Sequence, residues 1–220
     1  MQTYGALKQI TGPTVEPCTA AEAAAFLRLG NAADLDLVGM MVRAARRVVE
    51  NETARALLTQ TWEYYLDAFP GGDFWSLSRP LGVRPYHREI FTLPHQLSIQ
   101  VPKPPLQSVT WIKYTDPSGA QQTLDPSLYT VDAVTEPARI LPVYGQWWPL
   151  TQAVPNAVVV RFVAGYGDTA AAVPEDLVNG LKMLLVHLYQ NRQPVLTDTS
   201  VAELPMAADA LLMPYRASLV

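Results

Sequence analysis

The sequence has a single cysteine, Cys18, so no intrachain disulfide can form; the fold must hold by packing, and the chain suits a reducing compartment. Its three histidines, His87, His95 and His187, lie far apart. No pair has the one-turn spacing of a metal site, so no metal is expected. His187 falls inside an apolar helical pattern and reads as a core histidine, while His87-Arg88-Glu89 reads as a polar loop cluster. Charge is sparse: the formal net value is -4, without the basic excess of a general nucleic-acid binder. No run of about eighteen apolar residues exists, so no transmembrane helix is expected. The N-terminus carries Lys8 without an apolar core behind it, so no secretion signal is expected either. Gly165-Tyr166-Gly167 lacks the glycine, lysine and hydroxyl that complete a phosphate loop, and there is no Gly-x-Ser-x-Gly elbow. Cys18 precedes a helix start, which can lower a thiol pKa. No base accompanies it, so a structural role is expected. Asp and Glu are scattered, and a glycosidase pair is not visible in sequence. The reading is of a non-enzyme with no catalytic, cofactor or metal residues.

What is present begins with Asn156 to Arg192. Val158, Val160, Phe162 and Ala164 alternate with Val159, Arg161 and Val163, as the two faces of a strand do. Gly165 to Asp168 stops that strand. Pro174, Glu175 and Asp176 then open a helix, with negative charge at its positive end. Leu177, Leu181, Leu184, Leu185 and Leu188 follow at helical spacing. Val178, Met183, Val186 and Tyr189 widen the apolar face, which predicts burial on more than one side.

From the start, residues 1 to 18 read as extended chain broken by Pro13 and Pro17. Thr19 and Glu22 form a capping-box pattern opening a short helix to Leu29. A second helix runs from Asn31 or Asp34 to Glu52, with Leu35, Val38, Val42, Ala45 and Val49 as its stripe. Arg43, Arg46, Arg47 and Glu50 lie opposite and read as a solvated face, or else as a contact for an acidic partner or nucleic acid. Thr59 to Phe69 reads as a strand. Asp73 to Leu97 shows no period and holds a basic excess through Arg88; it is a candidate contact loop. Short strands follow at 97–101, 108–115, 121–124, 128–132, 139–143 and from 156, with a strong turn at Asp116-Pro117-Ser118-Gly119. Gly145 to Pro149 reads as a turn whose two tryptophans plug a hydrophobic gap. A terminal helix over 207–213 follows, and Ala217 to Val220 read as loosely held.

The expected fold is α+β: a helical bundle, made of an N-terminal helix pair and a C-terminal helix, with an inserted small antiparallel β-sheet or barrel. The expected division is 1–58 and 167–220 for the helical body with its tail, and 59–166 for the inserted β subdomain.

Several pieces, in order over nearly the whole chain, carry a resemblance. They are Thr19-Ala-Ala-Glu22, the helix ending in Glu50-Asn-Glu-Thr-Ala-Arg55-Ala-Leu-Leu, Thr59-Gln-Thr-Trp62 and Phe69-Pro-Gly-Gly72. Pro104-Pro-Leu-Gln-Ser-Val109, Leu124-Asp-Pro-Ser-Leu-Tyr129, Val160-Arg-Phe-Val-Ala-Gly-Tyr-Gly167, Val173-Pro174 and Pro214-Tyr-Arg216 continue them. Together they resemble the head–tail connector, or adaptor, proteins of long-tailed phages and phage-like gene-transfer particles. The resemblance implies a virion neck protein at the head–tail junction, assembled in the bacterial host cytoplasm. It implies a ring, typically of twelve copies, between the portal and the stopper or tail-completion protein, with DNA passing through without sequence-specific binding. It transfers no active-site residue and no membrane contact. By analogy, Leu196 to Val220 would dock on the portal, with Leu211, Leu212, Met213, Tyr215 and Arg216 as its contacts. Phe74, Trp75, Arg79, Arg84, Tyr86 and Arg88 would touch a neighbouring subunit or neck protein. The long β insert departs from the minimal helical members of the family.

Three other readings compete: another neck protein such as a stopper or tail-completion protein; a β-type ligand-binding module, for carbohydrate, using Trp75, Trp111, Trp147 and Trp148; and an enzyme with an unrecognised site.

Overall fold

The structure is a computed structural model that describes residues 5–29, 35–71, 97–190 and 206–217. These divide into two compact units. One takes the chain up to Thr11 and from Gln60 to Ala164; the other takes Gly12 to Thr59 and the chain from Gly165. The expected α+β class holds: among the described residues four α-helices accompany antiparallel sheets.

In the helical unit, α1 spans Ala20–Phe26. Both halves of its predicted capping box are made, the Glu22 amide donating to Thr19 Oγ1 at 3.1 Å and the Thr19 amide to Glu22 Oε2 at 2.9 Å. These bonds lower the Glu22 pKa, the Thr19 backbone N–H contributing most. Helix α2 spans Leu35–Glu52 and buries Val38, Val42, Ala45 and Val49 of its expected stripe, while Leu35, at the helix start, is exposed. Helix α3, Glu175–Gln190, packs against both α2 and α4 (Met206–Leu212) and so stands at the middle of the unit. It buries a single face (Leu177, Gly180, Leu181, Leu184 and Leu185) rather than several. Met183 is 37% exposed, and His187 is half-buried rather than in the core. Gly180 explains the close approach of α4: a Cβ there would stand 3.0 Å from a Leu212 methyl. Cys18 is buried in this core, and burial raises its thiol pKa, the opposite of a reactive thiolate.

The solvated face expected on α2 is only half solvated. Arg43 and Arg47 are exposed, but Arg46 and Glu50 are 5% and 7% exposed. Arg46 donates to Glu50 Oε2 and to Glu16 Oε2, each at 2.7 Å. Glu50 also accepts from the Leu57 amide through its other oxygen at 3.1 Å. Burying these charges is tolerable because each is paired. The result ties the chain before α1 and the chain after α2 to one point on α2.

Among the described residues the sheet unit holds eight strands in two antiparallel sheets. Five of them run in the order β1 (Ala6–Thr11), β2 (Gln60–Leu66), β8 (Val158–Ala164), β4 (Leu106–Thr115) and β5 (Gln121–Thr123). The other three run β3 (Ile99–Val101), β7 (Ala138–Pro142) and β6 (Tyr129–Asp132). No barrel closes among the described residues. The last strand in sequence lies in the middle of the larger sheet, between β2 and β4, rather than at its end. Its Val158, Val160, Phe162 and Ala164 are fully buried. Cross-strand partners share a face, so Ile112 opposite Val160 joins them, while Glu63 and Trp111, both opposite Arg161, take the outer face. β4 begins at Leu106, two residues before the strand expected from 108, and two register shifts interrupt its pairing with β8. β1 is an edge strand made from chain that reads only as extended.

Candidate interaction surfaces

The contact set Phe74, Trp75, Arg79, Arg84, Tyr86 and Arg88 lies outside the described residues, as do the rest of the 73–96 stretch, His87 and His95.

The C-terminal set is described, and most of it is engaged within its own helical unit. Leu212 is fully buried in the helical core, beside Leu177, Leu181 and Leu185 in the same cluster. Its side chain is therefore core, which removes it from any exposed contact in this conformation. Leu211 is half-buried. After α4 a single 3-10 turn, Met213–Tyr215, brings the chain back toward the residues that follow α2. There the Ala217 amide donates to the Thr53 carbonyl at 2.9 Å, so Ala217 is held rather than loose. Arg55, 8% exposed, donates through Nε to the Tyr215 carbonyl and through Nη1 to the Tyr166 hydroxyl at 3.2 Å. Its guanidinium also sits 6.0 Å from the Tyr215 ring centre. Tyr215 donates its hydroxyl to Asp176 at 3.3 Å, and burial with that carboxylate raises its pKa. Arg216 reaches Asp209 at 2.8 Å and Glu52 at 3.2 Å. All three side chains are about 40% exposed, so these last pairs guide the chain more than they stabilise it. Met213, 66% exposed, is the member of the set that offers free apolar surface.

Arg55 is the residue that sequence reasoning missed here. It falls between a helix end and a strand start, where an arginine reads as solvated; the signal was its place before Ala56-Leu57-Leu58, all buried.

The tryptophans of the carbohydrate reading do not present one open platform. Trp75 lies outside the described residues. Trp148 is 9% exposed, stacked on Phe69 at 4.8 Å, and donates its ring N–H to the Leu97 carbonyl at 2.6 Å. This is the expected plug. Trp147, beside it, is 41% exposed. Two cations, Lys113 and Arg161, each stand 4.7 Å from the Trp111 ring centre. Among the described residues no group of three or more His, Cys, Asp or Glu is placed to hold a metal ion. No described helix is long and apolar enough to cross a membrane.

Exposed apolar side chains occur in both units. The sheet unit shows Val134, Tyr144 and Leu150, each at least 73% exposed. The helical unit shows Met40 at 53%, Phe26 at 49% and Met206 at 86%.

No family model matches the chain, and no curated protein does. Solved structures do. A chain in the neck of an empty GTA particle, computed with C6 symmetry, superposes with a TM-score of 0.71 at 21% identity, covering 98% of this chain and 97% of that one. A chain in the virion of a native gene transfer agent (GTA) particle gives 0.69 at 23% identity, covering 97% and 96%. A chain in the neck of a native GTA particle, computed with C12 symmetry, gives 0.61 at 22% identity, covering 98% and 97%. At such identities the likeness is one of fold: over nearly its full length, the chain folds as chains of gene transfer agent particles do.

Proposed function

We propose that this chain is a structural subunit of the neck of a phage-like particle, located in the virion at the head–tail junction and assembled in the bacterial host cytoplasm. The observation that carries the reading is the fold shared with a chain of a GTA neck structure over 98% of one chain and 97% of the other. The C6 and C12 symmetry of the two neck structures supports a homo-oligomeric ring. The ordered motifs from Thr19 to Arg216 favour the adaptor position, between the portal and a stopper or tail-completion protein. There the ring retains packaged DNA and later lets it pass, without binding a particular sequence.

In this reading the helical unit forms the ring body. Chain beyond Leu196 carries the portal contact, with Leu211, Met213, Tyr215 and Arg216 at its base; residues 73–97, with Trp75 and Arg88 among them, reach a neighbouring subunit or the next neck protein. The assignment needs no catalytic residue and no cofactor. A neck protein that holds its place by shape needs two different patches per subunit, because the contacts that close a ring are heterologous.

The test is native mass over a concentration series, with electron microscopy of the largest species, alone and mixed with the portal from the same locus. A closed ring that binds portal directly is the expected result. A ring that binds only the tail side would move the chain to the stopper position. A two-fold dimer, or a chain that stays monomeric with and without portal, would sink the reading.

A further inference from the structure

Helix α2 turns toward solvent a face that its own unit leaves unanswered. Arg43 and Arg47 stand one turn apart and are exposed. Among the described residues neither has an ion pair, whereas Arg46 between them is buried and paired. Two like charges at this spacing repel and weaken the helix that carries them. Met40, 53% exposed, lies three residues before Arg43 and shares that face. The same unit holds twelve Asp and Glu against eight Lys and Arg, so opposite charge is plentiful on the body. Part of it is gathered at Asp168, Glu175 and Asp176, all exposed, around the start of α3. Within one subunit no ion pair joins these acids to Arg43 or Arg47 among the described residues.

We propose that Met40, Arg43 and Arg47 of one subunit dock on the acidic segment Asp168–Asp176 of a second copy, making a repeating contact of the ring. This rests on the ring reading above and gives it its two unlike patches. A positive patch cannot pair with itself across a two-fold axis, and neither can a negative one; each needs the other patch of a second copy, and in a ring that pairing is made by head-to-tail repetition. A second copy fits the stripe better than DNA does. The stripe offers two cations beside an exposed methionine, and a surface that tracks phosphates gathers more charge than that.

The experiment uses the full chain with two charge-reversed variants, Arg43→Glu/Arg47→Glu and Asp168→Arg/Glu175→Arg. Asp176 is left in place so that it keeps the Tyr215 hydroxyl. Far-UV circular dichroism checks folding; Arg43→Gln/Arg47→Gln serves if the reversed arginine variant does not fold. Native mass over a concentration series then reads assembly. Each variant alone should self-associate roughly tenfold or more weakly than wild type, because like charges face each other across the contact. An equimolar mixture of the two reversed variants should recover assembly, since alternating them makes every contact complementary again. Variants that assemble like wild type, or a mixture that fails to recover, overturn the contact while leaving the wild-type ring standing. A wild-type chain that forms no ring, alone or with portal, fails the ring reading itself and the contact with it. Salt-sensitive duplex binding that Arg43→Glu/Arg47→Glu abolishes, with assembly intact, assigns the face to DNA and overturns the proposal.

Discussion

The two units keep their charges in different places. The whole formal charge of -4 falls in the helical unit, twelve acids against eight bases, while the sheet unit balances eight against eight. Yet the helical unit buries the charges that matter to its shape. Arg46 and Glu50 sit at its heart, and Arg55 holds its C-terminal turn. The sheet unit's corresponding pair, Arg161 and Glu63, is buried at one end only: the Glu63 side chain is 8% exposed and that of Arg161 34%. The physical reason is connectivity. A sheet joins distant chain segments through its backbone ladder, β2 to β8 and β8 to β4. Helices satisfy their backbones internally, so distant segments must be tied by side chains: Glu16 to Arg46 over thirty residues, Arg55 to Tyr215 over 160.

The sharpest way to break this contrast is to remove one arginine from each unit. Arg46→Met takes from buried Glu50 the guanidinium that balances its charge, leaving it the Leu57 amide among its donors, and should cost about 3–5 kcal/mol. Arg161→Met removes the more exposed partner and leaves the buried Glu63 carboxylate the Tyr65 hydroxyl, so it should cost less, about 1–3 kcal/mol. Urea denaturation followed by far-UV circular dichroism measures both. Equal losses would mean that the depth of the charge does not matter here.

Two glycines sharpen the same contrast at the level of backbone. Both have left-handed angles, φ +130° at Gly165 and φ +80° at Gly145. A Cβ at Gly165 would stand 2.2 Å from the Leu58 carbonyl oxygen, whereas nothing lies within 4 Å of one at Gly145. Gly165→Ala combines a backbone clash with strain and should destabilise the helical unit by about 3 kcal/mol or more. Gly145→Ala carries only the strain, about 1 kcal/mol. Thermal melts of the two variants decide it. A Gly165→Ala protein melting like wild type would show that the strand exit at Ala164 can shift.

These ties mark where the sequence could be read and where it could not. The α1 cap and the α2 stripe are local patterns, and both stand in the structure as their spacing predicts. The turn at Asp116 is local as well: its carboxylate accepts from the Ser118 and Ala120 amides and the Ser118 hydroxyl. Arg46 was unreadable because its partner Glu16 lies in a stretch with no secondary-structure pattern of its own. β1 was unreadable because an edge strand buries little: Ala6 to Thr11 are almost all exposed, so no alternation marks them. Leu212 was placed among the portal contacts by analogy, together with Leu211 and Met213 on either side; only Gly180 on α3, which admits it, reveals its inward turn. The candidate site thus shows in sequence as a region, with its inward and outward residues settled by long-range packing.

The C-terminal tie gives a smaller, local effect. Arg55→Ala deprives the Tyr215 carbonyl and the Tyr166 hydroxyl of one donor, a loss of about 1–3 kcal/mol. The expected signature is faster hydrogen exchange at the Ala217 amide, which bonds the Thr53 carbonyl, with the β8 amides unchanged. Unchanged exchange at Ala217 would show that α4 alone holds the C-terminal turn.

The smallest effect separates the units by pH. Glu63 has its pKa lowered, first by the Tyr65 hydroxyl that donates to it and then by Arg161, against the opposing effect of burial. A carboxyl group with a lower pKa in the folded state adds stability above its unfolded value, about 4.3, and loses it as pH falls through the folded value. Between pH 5 and pH 3, wild type should therefore lose more stability than Glu63→Gln, which has no proton to take up there. Tyr65→Phe removes the first cause and should recover most of the difference, while Arg161→Met recovers less. If the two rank the other way, the half-exposed arginine, and not the tyrosine, governs this carboxylate. The sheet's outer pair would then be an electrostatic tie of the same kind as the buried one on α2.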